Sequence, residues 1–397
     1  MKILHISTFD SGGAGRAAIR LHQALLNAGV DSKFLCLDKK TNIKNVIQFR
    51  YKTPLLKKTL NKLELSKVQR LQKLLYNQKG VYETFTFPVT DIDVSNHQLV
   101  RDVDIINLHW ISWFVDYKTF FKKVKKPIVW TLHDKNPFQG GFHLHNDKIN
   151  NKWKLEKELE EFKTKILSKH YNLNIVALNK EMLDYSENSN IFKNRYHTII
   201  YNGIEDDIFT PKDKIKVRKL LGIPFGKIVF AFIAESDNRI NKGLDLLLEI
   251  VNNFNPEKVI FYAIGNIEKR SDINIRYFGK IENDNKLASI YSAVDAVIIP
   301  SREDNLPNVL LEALSCGTPV IGTPVGGILD IINNGVNGYI TNYISSVSIM
   351  NSLNLFIKNK DMFNREKIRE FSINKFSLSL QARKYIELYK KILLSNL

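Results

Sequence analysis

Little in this sequence could build a covalent or metal-bound framework. Only two cysteines, Cys36 and Cys316, stand in 397 residues, each in an apolar, element-like stretch far from the other. That excludes a disulfide scaffold and a Cys/His metal knuckle, and it fits a cytosolic chain whose two thiols stay reduced and packed. Long apolar runs are also missing: none nears the roughly 18 residues that a membrane-spanning helix needs. The start, MKILHISTF, carries one lysine and a short β-like run, then continues into GGAG without a cleavage pattern. It is expected to be a first strand, not a signal peptide. Low-complexity segments and short-period repeats are absent too.

Acids are scarce in one place. The segment YKTPLLKKTLNKLELSKVQRLQKLLYNQKG (51–80) holds Lys52, Lys57, Lys58, Lys62, Lys67, Arg70, Lys73 and Lys79 against the single acid Glu64, within a chain of net charge +17. Leu56, Leu60, Leu63, Val68, Leu71 and Leu75 recur beside them at near-helical spacing. Two readings follow: a basic amphipathic helix suited to an anionic membrane surface, or a solvated helical insertion that packs its leucine stripe on its own domain. Nucleic acid is not the expected partner, because aromatic interleaving, an RNA-binding signature and a helix-turn-helix pattern are all lacking.

What is present reads as a soluble globular protein, 44% hydrophobic and 25% charged. The length suggests two domains. In the first half, KILHIS (2–7), DSKFLCL (31–37), DVDIINLHW (102–110), PIVWTLHD (127–134), NIVALN (174–179) and HTIIYNGI (197–204) read as strands, with a helix over 14–29. The alternation then restarts with KIVFAFIAES (227–236), a helix over 243–254, KVIFYAIG (258–265), IRYFGKI (275–281), DAVIIPS (295–301) and TPVIGTPVG (318–326). This predicts an α/β protein of two Rossmann-like, doubly wound parallel-sheet domains, 1–204 and 205–376, with the last helix, within 377–397, returning to the first. Binding residues of such sheets gather at the carboxyl ends of the strands, so an interdomain cleft is the expected site.

Four segments carry chemistry. FDSGGAGRAA (9–18) offers Gly12, Gly13 and Gly15 before a helix whose free N–H groups could meet a phosphate. The alternative is a tight turn, and the missing third glycine makes it a poor dinucleotide fingerprint. TLHDKNPFQGGFHLH (131–145) puts His133 at a strand end, with His143 and His145 weaker candidates. DNRINKGLDLLLE (237–249) places Arg239 and Lys242 before a helix, as a diphosphate would require, or as a solvated basic turn. SREDNLPNVLLEALSCGTPV (301–320) sets Asp304 in a loop, Pro307 as the first residue of a helix capped near Asn305, and Glu312 within it. The order of groups is carboxylate, helix N-terminus, carboxylate. It fits sugar, phosphate and ribose in turn.

With these segments the chain resembles the retaining glycosyltransferases of family 4, which have the GT-B fold. The resemblance runs nearly the whole length, through GGAG, TLHD, NGIEDDIF, NKG, PSREDNLPNVLLEALSCGTPVIGTPVGG and NNGVNGY (333–339). DNLPN and TLHDKNPFQGGFH are similar to a bacterial subgroup that builds capsule, O-antigen and exopolysaccharide repeat units. By that resemblance Glu312 holds ribose hydroxyls, and Asp304, or Glu303 beside it, contacts the donor sugar. Lys242 and Arg239 bind the diphosphate with backbone help from Asn305, Leu306 and Asn308. Gly12 and Gly13 close on the phosphates, His133 meets the sugar near the reacting carbon, and Gly279 and Lys280 lie near the base. The sequence departs from the pattern in three ways. Asp stands for Glu at 304, Arg239 is three residues before Lys242 and not five, and the cysteines that often follow GG-x-H are absent.

The expected activity is transfer of a sugar from a nucleoside diphosphate, UDP by preference, to a glycan or polyprenyl-diphosphate-linked acceptor, with retention and no metal or other cofactor. The expected place is the cytoplasm, peripherally on the inner membrane face. The alternatives are a GT-B sugar-nucleotide epimerase and a non-catalytic nucleotide-sugar-binding subunit.

Overall fold

The computed structural model describes residues 1–51, 67–236, 240–270 and 273–395. The chain forms two compact units, Met1–Ile200 with Ala382–Leu397, and Tyr201–Gln381.

The first unit is built on a seven-stranded parallel sheet of order β3-β2-β1-β4-β5-β6-β7. Its strands are β1 (Lys2–Phe9), β2 (Asp31–Asp38), β3 (Val46–Gln48), β4 (Ile105–Leu108), β5 (Ile128–Thr131), β6 (Leu173–Ala177) and β7 (Tyr196–Ile199). The inner strands are rich in apolar residues and largely buried, as a sheet covered on both faces requires, while the edge strands β3 and β7 are partly exposed. Alternation sorts their side chains. Leu4, Ile6, Ile106, Leu108, Ile128, Trp130 and Ile175 enter one hydrophobic cluster. The opposite face carries buried polar residues: His5, Asn107 and Thr131 are at most 2% exposed. The helix Leu378–Ser395 satisfies two of them. Tyr389 Oη accepts from Asn107 Nδ2 at 2.8 Å, and Tyr385 Oη lies 2.9 Å from Thr131 Oγ1. Both tyrosines are fully buried.

The second unit has a six-stranded parallel sheet of order β10-β9-β8-β11-β12-β13. Its strands are β8 (Ile228–Ser236), β9 (Val259–Asn266), β10 (Ile275–Gly279), β11 (Ala296–Ile299), β12 (Val320–Gly322) and β13 (Gly338–Ile340). Phe230, Phe232, Phe261, Ile298 and Ile321 from the strands join Leu247, Leu353 and Phe356 from helices in its main core.

Several local expectations need correction. The helix expected over 243–254 is only Leu244–Leu248 followed by a 3-10 turn at Val251–Asn253, and Gly243 is left-handed (φ 64°) ahead of it. Pro307 does not open its helix; it is extended (ψ 123°) and is itself the cap residue of Asn308–Ser315, with no side-chain cap bond of its own. The sequence reading missed the short edge strands β3 and β13. The chain passes between units at Ile200/Tyr201 and again at Gln381/Ala382, inside the last helix.

Of the basic segment, residues 52–66 lie outside the described residues, and with them Lys52, Lys57, Lys58, Lys62, Leu56, Leu60 and Leu63. The described part forms the helix Lys67–Tyr76, whose Leu71 and Leu75 pack on a cluster of Phe85, Phe87, Phe142 and Trp153 in the first unit. Leu74 and Tyr76 are exposed. No described helix is long and apolar enough to cross a membrane.

One half-buried carboxylate ties the start of the second unit together. Asp295 accepts from Lys214 Nζ (2.5 Å), Arg218 Nη2 (2.8 Å) and the Val229 N–H (2.7 Å). Burial alone would raise its pKa, but Lys214 and Arg218 outweigh that and hold the carboxyl below its usual value. A depressed folded-state pKa stabilises above the unfolded value of about 4 and is lost as pH falls through the folded one. Asp295→Asn is therefore expected to cost about 3 kcal/mol at pH 7, since it leaves Arg218 buried without its counter-charge. The gap from wild type should narrow below about pH 4. Urea midpoints at pH 7 and pH 3 measure both.

Candidate functional site

In the first unit the carboxyl ends of β1, β4 and β5 bring together the glycine loop, His109 with Trp110, and His133 with Asp134. Asp10, directly after β1, is buried and accepts from the N–H groups of Lys40 and Thr41, each at 2.8 Å, which pins the loop. The helix Gly12–Asn27 then starts at once. Gly15 allows its close approach to the strand, because a Cβ there would lie 2.8 Å from the Phe9 carbonyl oxygen. Beside Gly12 and Gly13 the space is open, and Gly12 has φ 72°.

His133 is half-buried, and its Nε2 lies 2.9 Å from His109 Nδ1. Nε2 of His109 in turn lies 2.9 Å from His5 Nδ1. Burial pushes the His133 pKa down to about 4, against the opposing pull of Asp134, and lowers His109 and His5 well below the ordinary value. All three imidazoles are neutral at neutral pH. Asp134 accepts from His143 Nδ1 (2.6 Å), Trp110 Nε1 (2.6 Å) and the Asn136 N–H (3.0 Å). His143 Nε2 reaches Thr86 Oγ1 at 2.9 Å, so this buried histidine is a strut of the loop. His145 begins a helix with its ring against Tyr185.

The loop between Asp134 and His143 is held from below by the helix Lys154–Leu167. Glu156 accepts from the N–H groups of Gly140 (2.7 Å), Gly141 (2.6 Å) and Phe142 (3.2 Å). Lys163 Nζ donates to the carbonyls of Asn136 (2.6 Å) and Gln139 (2.8 Å). Burial lowers the Lys163 pKa to about 7.

In the second unit the loops after β8, β11 and β12 converge. Lys242 Nζ donates to Asp304 Oδ2 at 2.6 Å. Gly243 permits the approach of its loop, since a Cβ would stand 1.9 Å from the Pro300 carbonyl oxygen. Arg302 binds Asp245 through both terminal nitrogens at 2.6 Å, and its N–H donates to the Asn241 carbonyl at 2.7 Å. Gly326 (φ 46°) packs against the Asp304 and Asn305 carbonyls, and the Gly327 N–H donates to Asn305 O at 2.7 Å. Leu306 is buried beside Gly327. Asn308 is the first residue of the helix that carries Glu312. Glu312 is 2% exposed, not facing water, and accepts from Tyr291 Oη at 3.0 Å. Glu303 is buried, while Asp304 holds the lysine. Gly279 is left-handed (φ 71°) at the end of β10, and Lys280 is exposed on Glu282 at 2.6 Å. Arg239 lies outside the described residues.

Sequence reasoning missed Asp134, Glu156 and Lys163 as anchors, and Gly326 and Gly327 as the floor under the Asp304 loop. It also missed His5 and His109. Only the register reveals them: His5 pairs with Asn107, and Asn107 with Val129, so His5, His109 and His133 share one face of the sheet.

Residues 227–359 match the family Glycosyl transferases group 1. Among curated relatives, an uncharacterized 41.2 kDa protein in the cps region of Klebsiella pneumoniae is 28% identical over 297 residues, 72% of this chain and 78% of that protein. N-acetyl-alpha-D-glucosaminyl L-malate synthase of Bacillus anthracis is 24% identical over 206 residues, 49% of this chain and 53% of that protein. The chain thus spans only about half the length of this second relative. Sucrose-phosphate synthase from Thermosynechococcus elongatus superposes over 100% of both chains with a TM-score of 0.69 at 15% identity. Anabaena HepE, solved in complex with UDP-glucose, does so over 100% of both chains with 0.66 at 17% identity. Identities this low speak for the fold alone. The chain has the GT-B fold, and within its second unit residues 227–359 carry the group 1 glycosyltransferase pattern.

Proposed function

We propose that the chain transfers a sugar from a nucleoside diphosphate, UDP by preference, to a hydroxyl of a glycan or lipid-linked glycan, with retained configuration, in the assembly of a bacterial surface polysaccharide. The observation that carries this reading is the Lys242–Asp304 pair. It sets an ammonium and a carboxylate side by side at the strand ends, ahead of a helix of eight residues that bears a buried Glu312. HepE with its bound UDP-glucose and the cps-region relative support the donor and the pathway.

In this mechanism Lys242, Arg239 and the backbone of Asn305, Leu306 and Asn308 stabilise the diphosphate as the bond between the anomeric carbon and the β-phosphate oxygen breaks. Glu312 orients the ribose, Asp304 or Glu303 the donor sugar, and Gly279 with Lys280 the base. Gly12 and Gly13 admit the phosphates closely. The acceptor oxygen attacks from the face the diphosphate leaves, and its proton passes to the departing phosphate oxygen. No side chain forms a covalent intermediate, and the reading requires no metal. Tenfold slower turnover corresponds to about 1.4 kcal/mol of lost transition-state stabilisation.

Lys242→Ala and Glu312→Ala are each expected to cut UDP release with acceptor present by at least about a hundredfold, the scale of losing one preorganised stabilising group. Near-normal transfer by Glu312→Ala would reject the assignment. Product analysis with and without acceptor separates transfer from epimerisation, and nucleotide binding without either reaction would mark a non-catalytic subunit.

The acceptor reading extends to residues 51–80, where the charge pattern suits the anionic inner face of a cytoplasmic membrane. At about 1 kcal/mol per basic residue near such a surface, changing Lys57, Lys58 and Lys62 to Glu should abolish sedimentation with anionic vesicles. Wild-type binding should fall with salt. Equal binding to neutral vesicles would remove the membrane from the proposal.

A further inference from the structure

His5, His109 and His133 are hydrogen-bonded in series across three adjacent parallel strands. In the sheet register His109 stands two residues beyond the partner of His5, and His133 two residues beyond the level of His109. The Cα positions therefore climb about 13 Å along the strand direction, while the rings, with centroids 5.2 Å apart at each step, run from the core toward the carboxyl edge. His5 and His109 are 0% and 2% exposed. Each neutral imidazole has one N–H and one bare nitrogen, so a proton placed on one ring fixes those on the other two.

We propose that the three rings form one tautomeric unit, with His5 and His109 as positioning residues that present His133 to the nucleotide-sugar donor as a hydrogen-bond donor through Nδ1. The ligand role rests on the proposed function; the tautomer does not.

One observation sets the direction. His5 Nε2 is buried with no hydrogen-bond partner among the described residues, and its ring has Phe34 stacked on it and His22 edge-on to it. A buried N–H without an acceptor is among the rarest defects in folded proteins, so the bare nitrogen belongs there. His5 Nδ1–H then donates to His109 Nε2, and His109 Nδ1–H donates to His133 Nε2. That leaves His133 with its proton on Nδ1, the nitrogen the relay does not use. In this direction the ring dipoles point their positive ends toward the strand end that carries Asp134. Asp134 is filled by His143, Trp110 and Asn136. The remaining N–H is thus available to a sugar hydroxyl or phosphate oxygen, which the reverse tautomer would meet with a lone pair.

The test is 15N NMR of the full chain labelled at histidine. With nine histidines, the His133 signals are assigned by their loss in His133→Gln. Wild type should show a protonated Nδ1 and a bare Nε2 on His133. His5→Phe keeps a ring on Phe34 but removes the first donor, and should shift His133 to an average of both tautomers. His5→Asn, which places an amide N–H near the Nδ1 position, should restore the wild-type signals. Where His5→Phe does not fold, His5→Leu replaces it. A bare Nδ1 in wild type, or His133 signals indifferent to the apolar substitution in a folded protein, overturns the proposal. In the transfer assay the apolar variant should lose about tenfold in kcat with little change in KM, as for other residues that orient a site histidine. A tautomer that follows His5 while turnover does not upholds the relay and overturns the donor contact of His133.

Discussion

The backbone at residues 136–142 runs through the interior of the first unit, and one face of one helix makes that possible. Glu156 and Lys163 stand seven residues apart on the helix Lys154–Leu167, two turns along the same side. The carboxylate takes three N–H groups from the loop and the ammonium takes two of its carbonyls. Each such group left bare would cost about 1–3 kcal/mol, so neither ion is replaceable by an apolar residue. Gly140 and Gly141 are required for the same reason: a Cβ at the first would sit 2.0 Å from the Glu156 carbonyl oxygen, and at the second 2.3 Å from the Phe85 ring. With this loop fixed, His143 reaches Asp134, Asp134 reaches Trp110, and the strand end that carries His133 has one geometry.

A chain with 58 basic and 41 acidic residues uses several of its acids as interior hubs. Asp10, Asp134, Glu156 and Asp295 each accept at least three hydrogen bonds. A carboxylate suits this task because its two oxygens accept several donors and strengthen each bond by their charge. The work of these acids is structural, fixing where strand-end loops leave the sheet. Lys242 and Asp304 are different: their pair joins two loops whose backbones are already tied together where the N–H groups of Arg302 and Glu303 donate to the Asn241 carbonyl.

Every strand but the short edge strands β3 and β13 was legible, because each is a short run rich in apolar residues ending in polar or turn residues, and a parallel sheet demands that pattern. The helix after Gly243 was overestimated because LDLLLEIVNNF keeps helical periodicity, while Ile250 leaves the helix for a 3-10 turn. Pro307 was misplaced by one residue, a boundary that composition does not fix. Lys242, Asp304 and Glu312 stood out as charged residues amid turn or apolar sequence. Glu156 did not, because KLEKELEEFKTK reads as an ordinary solvated helix, and only the packing of a distant loop sets that one carboxylate apart from its neighbours. The histidine series was hidden for another reason: its members lie on three strands, and only the sheet register shows that they share a face.

The two units solve the problem of a strand-end site with opposite electrostatics. The first offers neutral groups, because burial strips its histidines of charge while Asp134 is consumed by its three donors. The second offers a retained charge, with the Lys242 side chain about one-third exposed and Asp304 less so. Neutral imidazoles give direction to a hydrogen bond without attracting every anion, whereas an ammonium attracts phosphate from a distance and orients it weakly.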